Sequence, residues 1–256
     1  MNACRMNAKA DPGPGVGARH ASPLLHRGIC AVVPVKESSK AKQRLAGALG
    51  RAQRQQLALA MLEDVLAALA STAGLASILV VTLDRQASDI AARYGAEVSA
   101  EGAGGGHSVA VAAAALRLEA NGMDMLTLPA DIPLVQSEDI QRLLAIHADA
   151  VARRARGFTI VPSRDERGSN AVLCSPAGAV PLRFGDNSFF PHLAAAKACG
   201  IAPVVLRLPR IALDIDTPAD VALLLATPAR GRAHALLGQW RHHGEGAIAA
   251  LGATPA

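Results

Sequence analysis

Between residues 28 and 225, short apolar runs rich in β-branched residues alternate with longer segments whose apolar residues recur at helical spacing. Residues 29–35 read as a buried strand, because a brief Ile, Val and Ala run ends abruptly in charged and polar residues. Residues 53–70 place Leu57, Met61, Leu62, Val65, Leu66 and Leu69 on one helical stripe, with Ala filling much of the rest. The alternation continues with strands at 78–83, 96–98, 123–128, 159–162, 171–174 and 204–208. Helices are expected at 87–94, at 108–119 with Ser108 as cap, at 137–146 with Ser137 as cap, and from Pro218 at a tolerated first position. Strands and helices in this order form an α/β domain with a mostly parallel central sheet covered by helices on both faces.

In such sheets ligands sit at the carboxyl ends of the strands. That rule directs attention to residues 36–44, 101–108 and 130–133. The remaining composition narrows the function. The formal charge of +5 resides in the ends: residues 1–27 contribute +3 and residues 226–256 contribute +2, leaving the body neutral. With one Trp, one Tyr and four Phe, the chain lacks a row of base-stacking platforms, so no polynucleotide partner is expected. Every apolar stretch is broken before the roughly 18 residues a bilayer span requires. Cys4, Cys30, Cys174 and Cys199 are too dispersed for a zinc site or a disulfide framework, which fits a cytoplasmic protein. Residues 1–27 read as a disordered extension, 28–225 as one domain, and 226–256 as a partly helical appendage.

Residues 34–45 place Lys36, Lys40, Lys42 and Arg44 directly after the first strand, where they could neutralise a triphosphate or form a solvated turn. The Gly-Lys-Thr ending of a Walker loop is absent. Asp131 follows the most apolar strand, where a carboxylate is costly unless exposed or paired. It is a candidate magnesium ligand, since that ion needs only one or two carboxylates when phosphates supply other oxygens. Asp214 and Asp216 form a second acidic pair. They face opposite ways if the segment is extended, and Asp216 or Thr217 is also a helix-cap candidate. The run Gly102-Ala103-Gly104-Gly105-Gly106-His107-Ser108 lets a backbone approach a ligand closely and ends at a helix start, or it is a plain linker. His107 reads as a loop residue. Arg167-Gly168-Ser169-Asn170 and the segment from Phe184 to Leu193 are polar turns able to bind a second substrate.

Together these segments resemble the 2-phospho-L-lactate guanylyltransferase family of coenzyme F-420 biosynthesis, which includes phosphoenolpyruvate and 3-phospho-D-glycerate guanylyltransferases. The resemblance is carried by Pro34-Val35-Lys36, Ala41-Lys42-Gln43-Arg44-Leu45, Leu128-Pro129-Ala130-Asp131-Ile132-Pro133, Gly168-Ser169-Asn170-Ala171, Phe184-Gly185 with Ser188-Phe189 and His192-Leu193, and Leu213-Asp214-Ile215-Asp216-Thr217-Pro218. It implies a single Rossmann-like (GT-A-like) nucleotidyltransferase domain, GTP as donor, magnesium as cofactor and a small phosphorylated acid as acceptor. It further implies Lys36, Lys42 and Arg44 near the triphosphate, Asp131, Asp214 and Asp216 around metal, and Gly168, Ser169 and Ser188 at the acceptor. Gly104, Gly105, Gly106 and Ser108 would meet the base. At that loop the family commonly has Gly-Leu-Asn; here it is Gly106-His107-Ser108, so guanine discrimination is expected to be softened rather than reversed. Molybdopterin or sugar-phosphate nucleotidyltransferases of the same fold, and a non-catalytic nucleotide-binding regulator, are the alternatives. The oligomeric state stays open, a homodimer included.

Overall fold

The computed structural model describes residues 28–152, 155–228 and 230–244. The expected extension over residues 1–27 and the end of the chain from residue 245 lie outside the described residues. Strand β1 (Ile29–Pro34) leads through two 3-10 turns to α1 (Arg51–Ala70), then β2 (Leu75–Val81), α2 (Arg85–Arg93) and β3 (Glu97–Ser99). Next come α3 (His107–Ala120), β4 (Asp124–Thr127), α4 (Ser137–Ala152), β5 (Gly157–Pro162) and β6 (Ser169–Ser175). The described chain closes with α5 (Phe189–Ala198), β7 (Val204–Val205), α6 (Pro209–Ala212), α7 (Pro218–Ala226) and α8 (Arg232–His242).

The sheet order is β3-β2-β1-β4-β6-β5-β7. Only β6 runs against its neighbours, pairing antiparallel with both β4 and β5. That reversal brings the amino end of β6 to the same sheet edge as the carboxyl ends of the other strands. Polar residues preceding β6 therefore join the loops after β1 and β4.

The period of two in β1 sorts its residues between faces. Ala31 and Val33 pack with Leu62, Val65, Leu66 and Leu69 of α1, whereas Cys30 and Val32 pack with Val111, Ala114 and Leu118 of α3. A third apolar cluster joins Leu57 and Met61 of α1 to Ile215, Leu224 of α7, and Ala233, Leu237 and Trp240 of α8. The carboxylate of Asp64, in α1, accepts the main-chain N–H groups of Arg232 at 2.6 Å and Ala233 at 2.9 Å, capping α8 from a distant part of the chain.

Three local expectations change. Helix α3 begins at His107 with Gly106 at its cap position, so Ser108 lies inside the helix. Helix α4 starts at Ser137, and it is Asp139 that reaches back to the Gln136 N–H at 3.0 Å. Residues 189–193, read as part of a polar turn, instead open a helix that runs to Ala198, because Phe189, His192 and Ala196 share one buried face.

Candidate active site

The loop after β1 is fixed by a contact across the sheet. Asp84, the N-cap of α2, accepts both the main-chain N–H of Ser38 at 2.7 Å and its hydroxyl at 2.6 Å. Burial opposes ionisation of Asp84, but the Ser38 hydroxyl and the N–H groups of Ala87 and Ser38 outweigh it and hold its pKa below 3.8. From that anchor the chain reaches Lys42 in a left-handed conformation (φ 54°, ψ 45°) uncommon for a residue with a side chain. This conformation is accompanied by an inward turn: the side chain of Lys42 is only 8% exposed, and Leu45 is fully buried in the third cluster.

The Lys42 ammonium bridges Asp131 Oδ2 at 2.5 Å and Asp216 Oδ1 at 2.8 Å. A main-chain bond from Ile215 N–H to the Asp131 carbonyl, 3.0 Å, holds the two acidic loops side by side. Thr217 caps α7 and forms a capping box with Asp220, which releases Asp216 from the capping role and leaves it to Lys42. Burial disfavours both charged forms; nevertheless the two carboxylates raise the Lys42 pKa, and Lys42, then Arg44, lower that of Asp216. Asp214 behaves oppositely. Burial raises its pKa, with Asp131 and Asp216 adding to the rise, against a 3.0 Å bond from the Asn170 amide.

The three aspartates do not form the expected cage: among the described residues no three His, Cys, Asp or Glu side chains are grouped to hold a metal. The Lys42 ammonium already occupies the space between Asp131 and Asp216. Asp131 Oδ1, however, is buried without a hydrogen-bond partner. Asp131 acts electrostatically on Asp214, and its orphaned carboxylate oxygen is suited to a cation held by one or two carboxylates.

Two cavities meet at this cluster, and Asp216 lines both. The first, about 490 Å³, is bordered by Val35, Lys36, Ser38, Lys42, His107 and Asp131. The second, about 620 Å³, is bordered by Arg44, Arg164, Arg167, Asn170, Asp214 and the turn at Gly185. Lys36 is exposed at the first cavity, while Arg44 opens on the second and approaches Asp216 Oδ2 at 3.7 Å.

Gly168, which lines the second cavity, donates its N–H to Ser163 Oγ at 2.7 Å. A bulge in the β5–β6 pairing makes Asn170 the extra residue, so Ser169 and Asn170 do not follow simple alternation. Asn170 turns to Asp214, and Ser169 turns to His192 of α5, with Oγ and Nδ1 2.9 Å apart. Ser188 Oγ donates to Ser169 Oγ at 3.3 Å, and both serines are buried.

The glycine loop is placed differently from expectation. Gly104, Gly105 and Gly106 border neither cavity, while neighbouring His107 lines the first. A Cβ on Gly105 would lie 2.7 Å from Val109 Cγ1, so its glycine permits close packing on α3. Ser108 spends its hydroxyl on Phe184, donating to the carbonyl at 3.0 Å and accepting the N–H at 2.8 Å. It thereby ties the start of α3 to the turn beside the second cavity. His107 and Phe184 have ring centroids 4.4 Å apart, and burial lowers the His107 pKa to about 4.

Ser38, Asp84, Arg164, Arg167, Asn170 and His192 join the site without having been singled out as site residues in the sequence. For Arg167, Asn170 and His192 the signal was present, since all three stand in quoted turns, and Ser38 lies within the loop over residues 36–44; its partner Asp84, 46 residues away, carries no such sign.

Residues 29–237 match the family described as Guanylyl transferase CofC like. The chain is 36% identical over 199 residues to the phosphoenolpyruvate guanylyltransferase of Rubrobacter xylanophilus, covering 78% of this chain and 94% of that one. It is 36% identical over 193 residues to the 3-phospho-D-glycerate guanylyltransferase of Colwellia psychrerythraea, covering 75% and 89%. Among solved structures, a candidate nucleotide-diphospho-sugar transferase from Desulfovibrio desulfuricans G20 has a TM-score of 0.68 at 18% identity, covering 88% of this chain and 98% of that one. A 4-diphosphocytidyl-2C-methyl-D-erythritol synthase has a TM-score of 0.54 at 16% identity, covering 77% and 97%. At these identities the structural likeness speaks to the fold alone.

Proposed function

This chain belongs to the CofC-like guanylyl transferase family, and from that membership we propose that it moves GMP from GTP to a small phosphorylated acid in coenzyme F-420 biosynthesis. The acceptor is 2-phospho-L-lactate, phosphoenolpyruvate or 3-phospho-D-glycerate. The observation that carries the reading is the pair of cavities meeting at Asp216, one flanked by Lys36 and the other by Arg44, Arg164 and Arg167. A transfer between two anionic substrates is served by two basic subsites that meet, so that the attacking oxygen can reach the phosphorus.

In the proposed reaction a phosphate oxygen of the acceptor attacks the α-phosphorus of GTP. The bond from that phosphorus to the bridging oxygen breaks, and pyrophosphate departs with the electron pair. The product is a guanosine diphospho-acid. The attacking oxygen is already ionised at neutral pH, so no general base is required. Lys36 lies on the nucleotide side to offset triphosphate charge, and Arg44 faces the acceptor with Arg164 and Arg167. Lys42 acts as an internal strut that sets Asp131 against Asp216. Gly168, at the second cavity, is assigned to the acceptor; Ser169 and Ser188 are assigned there from the family resemblance alone, since neither borders either cavity.

Magnesium fits the orphaned Asp131 oxygen, with Asp214 as the second carboxylate and Asp216 retained by Lys42. When bound there, it would supply neutralisation of phosphate charge. A cytoplasmic location accords with the dispersed cysteines, and no described helix is long and apolar enough to cross a membrane.

The test is pyrophosphate release from GTP with each of the three acids, followed by mass measurement of the product. A guanosine diphospho-acid from one of them is expected. Failure with all three, or better use of ATP, CTP or UTP in competition, would remove the guanylyl assignment.

A further inference from the structure

Burial lowers the pKa of His107, His147 and His192 to about 4, so each ring is neutral at pH 7. His147 sets its two ring nitrogens against Thr159 and Ser175, each at 2.8 Å. His192 does the same with Ser169 at 2.9 Å and the Arg183 N–H at 3.0 Å. His107 differs: among the described residues neither of its ring nitrogens has a hydrogen-bond partner. The ring packs on Phe184, with centroids 4.4 Å apart, and the residue lines the first cavity. A neutral imidazole carries one N–H in either tautomer. His107 therefore brings to this cavity a hydrogen bond that the described residues leave unmade.

Most other polar side chains of the cavity are already engaged. Ser38 gives its hydroxyl to Asp84, Glu37 accepts the Ser39 hydroxyl at 2.8 Å, and Lys42 is divided between Asp131 and Asp216. Lys36 makes no ion pair among the described residues, and Asp131 Oδ1 has no partner. What stays available is an ammonium, a carboxylate oxygen suited to a cation, and the imidazole. After burial, the charges that act on His107 are those of Asp131 and then Lys36, so its ring lies within the field of the other two groups. An ammonium, a cation site and an N–H donor gathered together suit an oxyanion.

We propose that His107 is a phosphate-binding residue: its ring N–H donates to a phosphate oxygen of the nucleotide in the first cavity, beside Lys36, while Phe184 backs the ring. Because the imidazole is neutral, it adds a hydrogen bond without repelling a cation at Asp131 or the Lys36 ammonium. The inference rests on the guanylyl-transfer reading for placing a nucleotide in this cavity, but it assigns the histidine to the phosphates and not to the base.

His107→Phe keeps a ring to pack on Phe184 and removes both nitrogens. In calorimetric titrations with magnesium, this variant is expected to bind GTP, ATP and inorganic triphosphate each about tenfold to thirtyfold more weakly than the wild type, the loss of one hydrogen bond to a charged group. Its thermal midpoint should change little. His107→Gln and His107→Asn return an amide N–H near the former Nε2 and Nδ1, and one of the two is expected to recover most of the affinity. Equal affinity of the wild type and His107→Phe for inorganic triphosphate overturns the proposal. So does a loss confined to GTP, which would assign the histidine to the base. A long-range proton–nitrogen NMR spectrum of the full chain gives a reading without turnover. Inorganic triphosphate with magnesium should move the ring-nitrogen signals of His107 and leave those of His147 in place, because the latter are bonded within the protein. Movement with the phosphorylated acids but not with triphosphate would overturn the proposal by placing the acceptor in this cavity. Equal binding of GTP and ATP with the His107→Phe loss intact leaves the phosphate contact standing and removes the guanylyl assignment. Transfer of GMP by a chain whose His107→Phe variant binds triphosphate normally locates the failure in this inference instead.

Discussion

Lys42 and Asp131 stand 89 residues apart in the chain, yet the lysine ammonium lies 2.5 Å from the aspartate carboxylate and reaches Asp216 on its other side. Replacing Lys42 by Met removes the charge while keeping much of the volume, and sets two carboxylates against each other. A fall in stability of about 1 to 3 kcal/mol is expected, below the figure for a fully buried pair because the carboxylates are partly open to solvent. Turnover should fall about 100-fold, equivalent to about 2.7 kcal/mol in the barrier. The sign with pH follows from the two shifts. The raised Lys42 pKa contributes stability that is present below 10.5 and disappears as pH rises through the folded value. The lowered Asp216 pKa contributes stability that is present above 3.8 and disappears as pH falls through the folded value. Denaturation profiles of the wild type and K42M should therefore differ most between those limits; equal stability at pH 7 would contradict the strut.

Asp214 carries the opposite sign. Its pKa is raised by burial and by Asp131 and Asp216, so the folded protein holds this proton more firmly than the unfolded chain. Stability declines as pH rises from 3.8 through the folded value, and the cost remains at neutral pH. Asp214→Asn keeps an oxygen for the Asn170 amide and removes the charge. The variant is expected to melt higher than the wild type at pH 7, to melt equally at pH 3, and to lose about 100-fold in turnover if the carboxylate serves the cation site. A lower melting temperature at pH 7 would contradict the electrostatic account.

Asp84 lies outside the lining of both cavities but anchors the loop that forms the wall of one. Asp84→Asn leaves one acceptor oxygen for two sites, so either the two Ser38 bonds or the Ala87 N–H cap of α2 is lost. The expected result is a KM for GTP raised about fivefold to tenfold, with the acceptor KM little changed and about 1 to 2 kcal/mol of stability lost. Steady-state kinetics with each substrate varied in turn would reveal the asymmetry. Equal changes in both constants would instead indicate general loosening.

Asp64 fastens α8 to α1. Asp64→Ala should cost about 1 to 2 kcal/mol through the lost cap and expose residues 232–242 to limited proteolysis. Unaltered melting and protection would mean that the apolar contacts of Leu237 and Trp240 suffice to hold the helix.

The apolar periodicity of residues 29–33 and 57–69 was legible without coordinates, because helix and strand repeats sort side chains by face through local geometry. The same reading located Lys42 and Asp131 in loops at strand ends and Asp216 beside a helix start. It did not reveal that the lysine would stand between the carboxylates, nor that Thr217 would take the helix cap and release Asp216. Ser108 illustrates the difference further: by residue type it looked like a cap or a base ligand, and it instead closes both main-chain bonds of Phe184, 76 residues away. Such pairings depend on strand order, on the reversed direction of β6 and on the bulge at Asn170. Local spacing specifies which face of an element is apolar, whereas the partner of a polar side chain is set by which loops the closed sheet brings within hydrogen-bond reach.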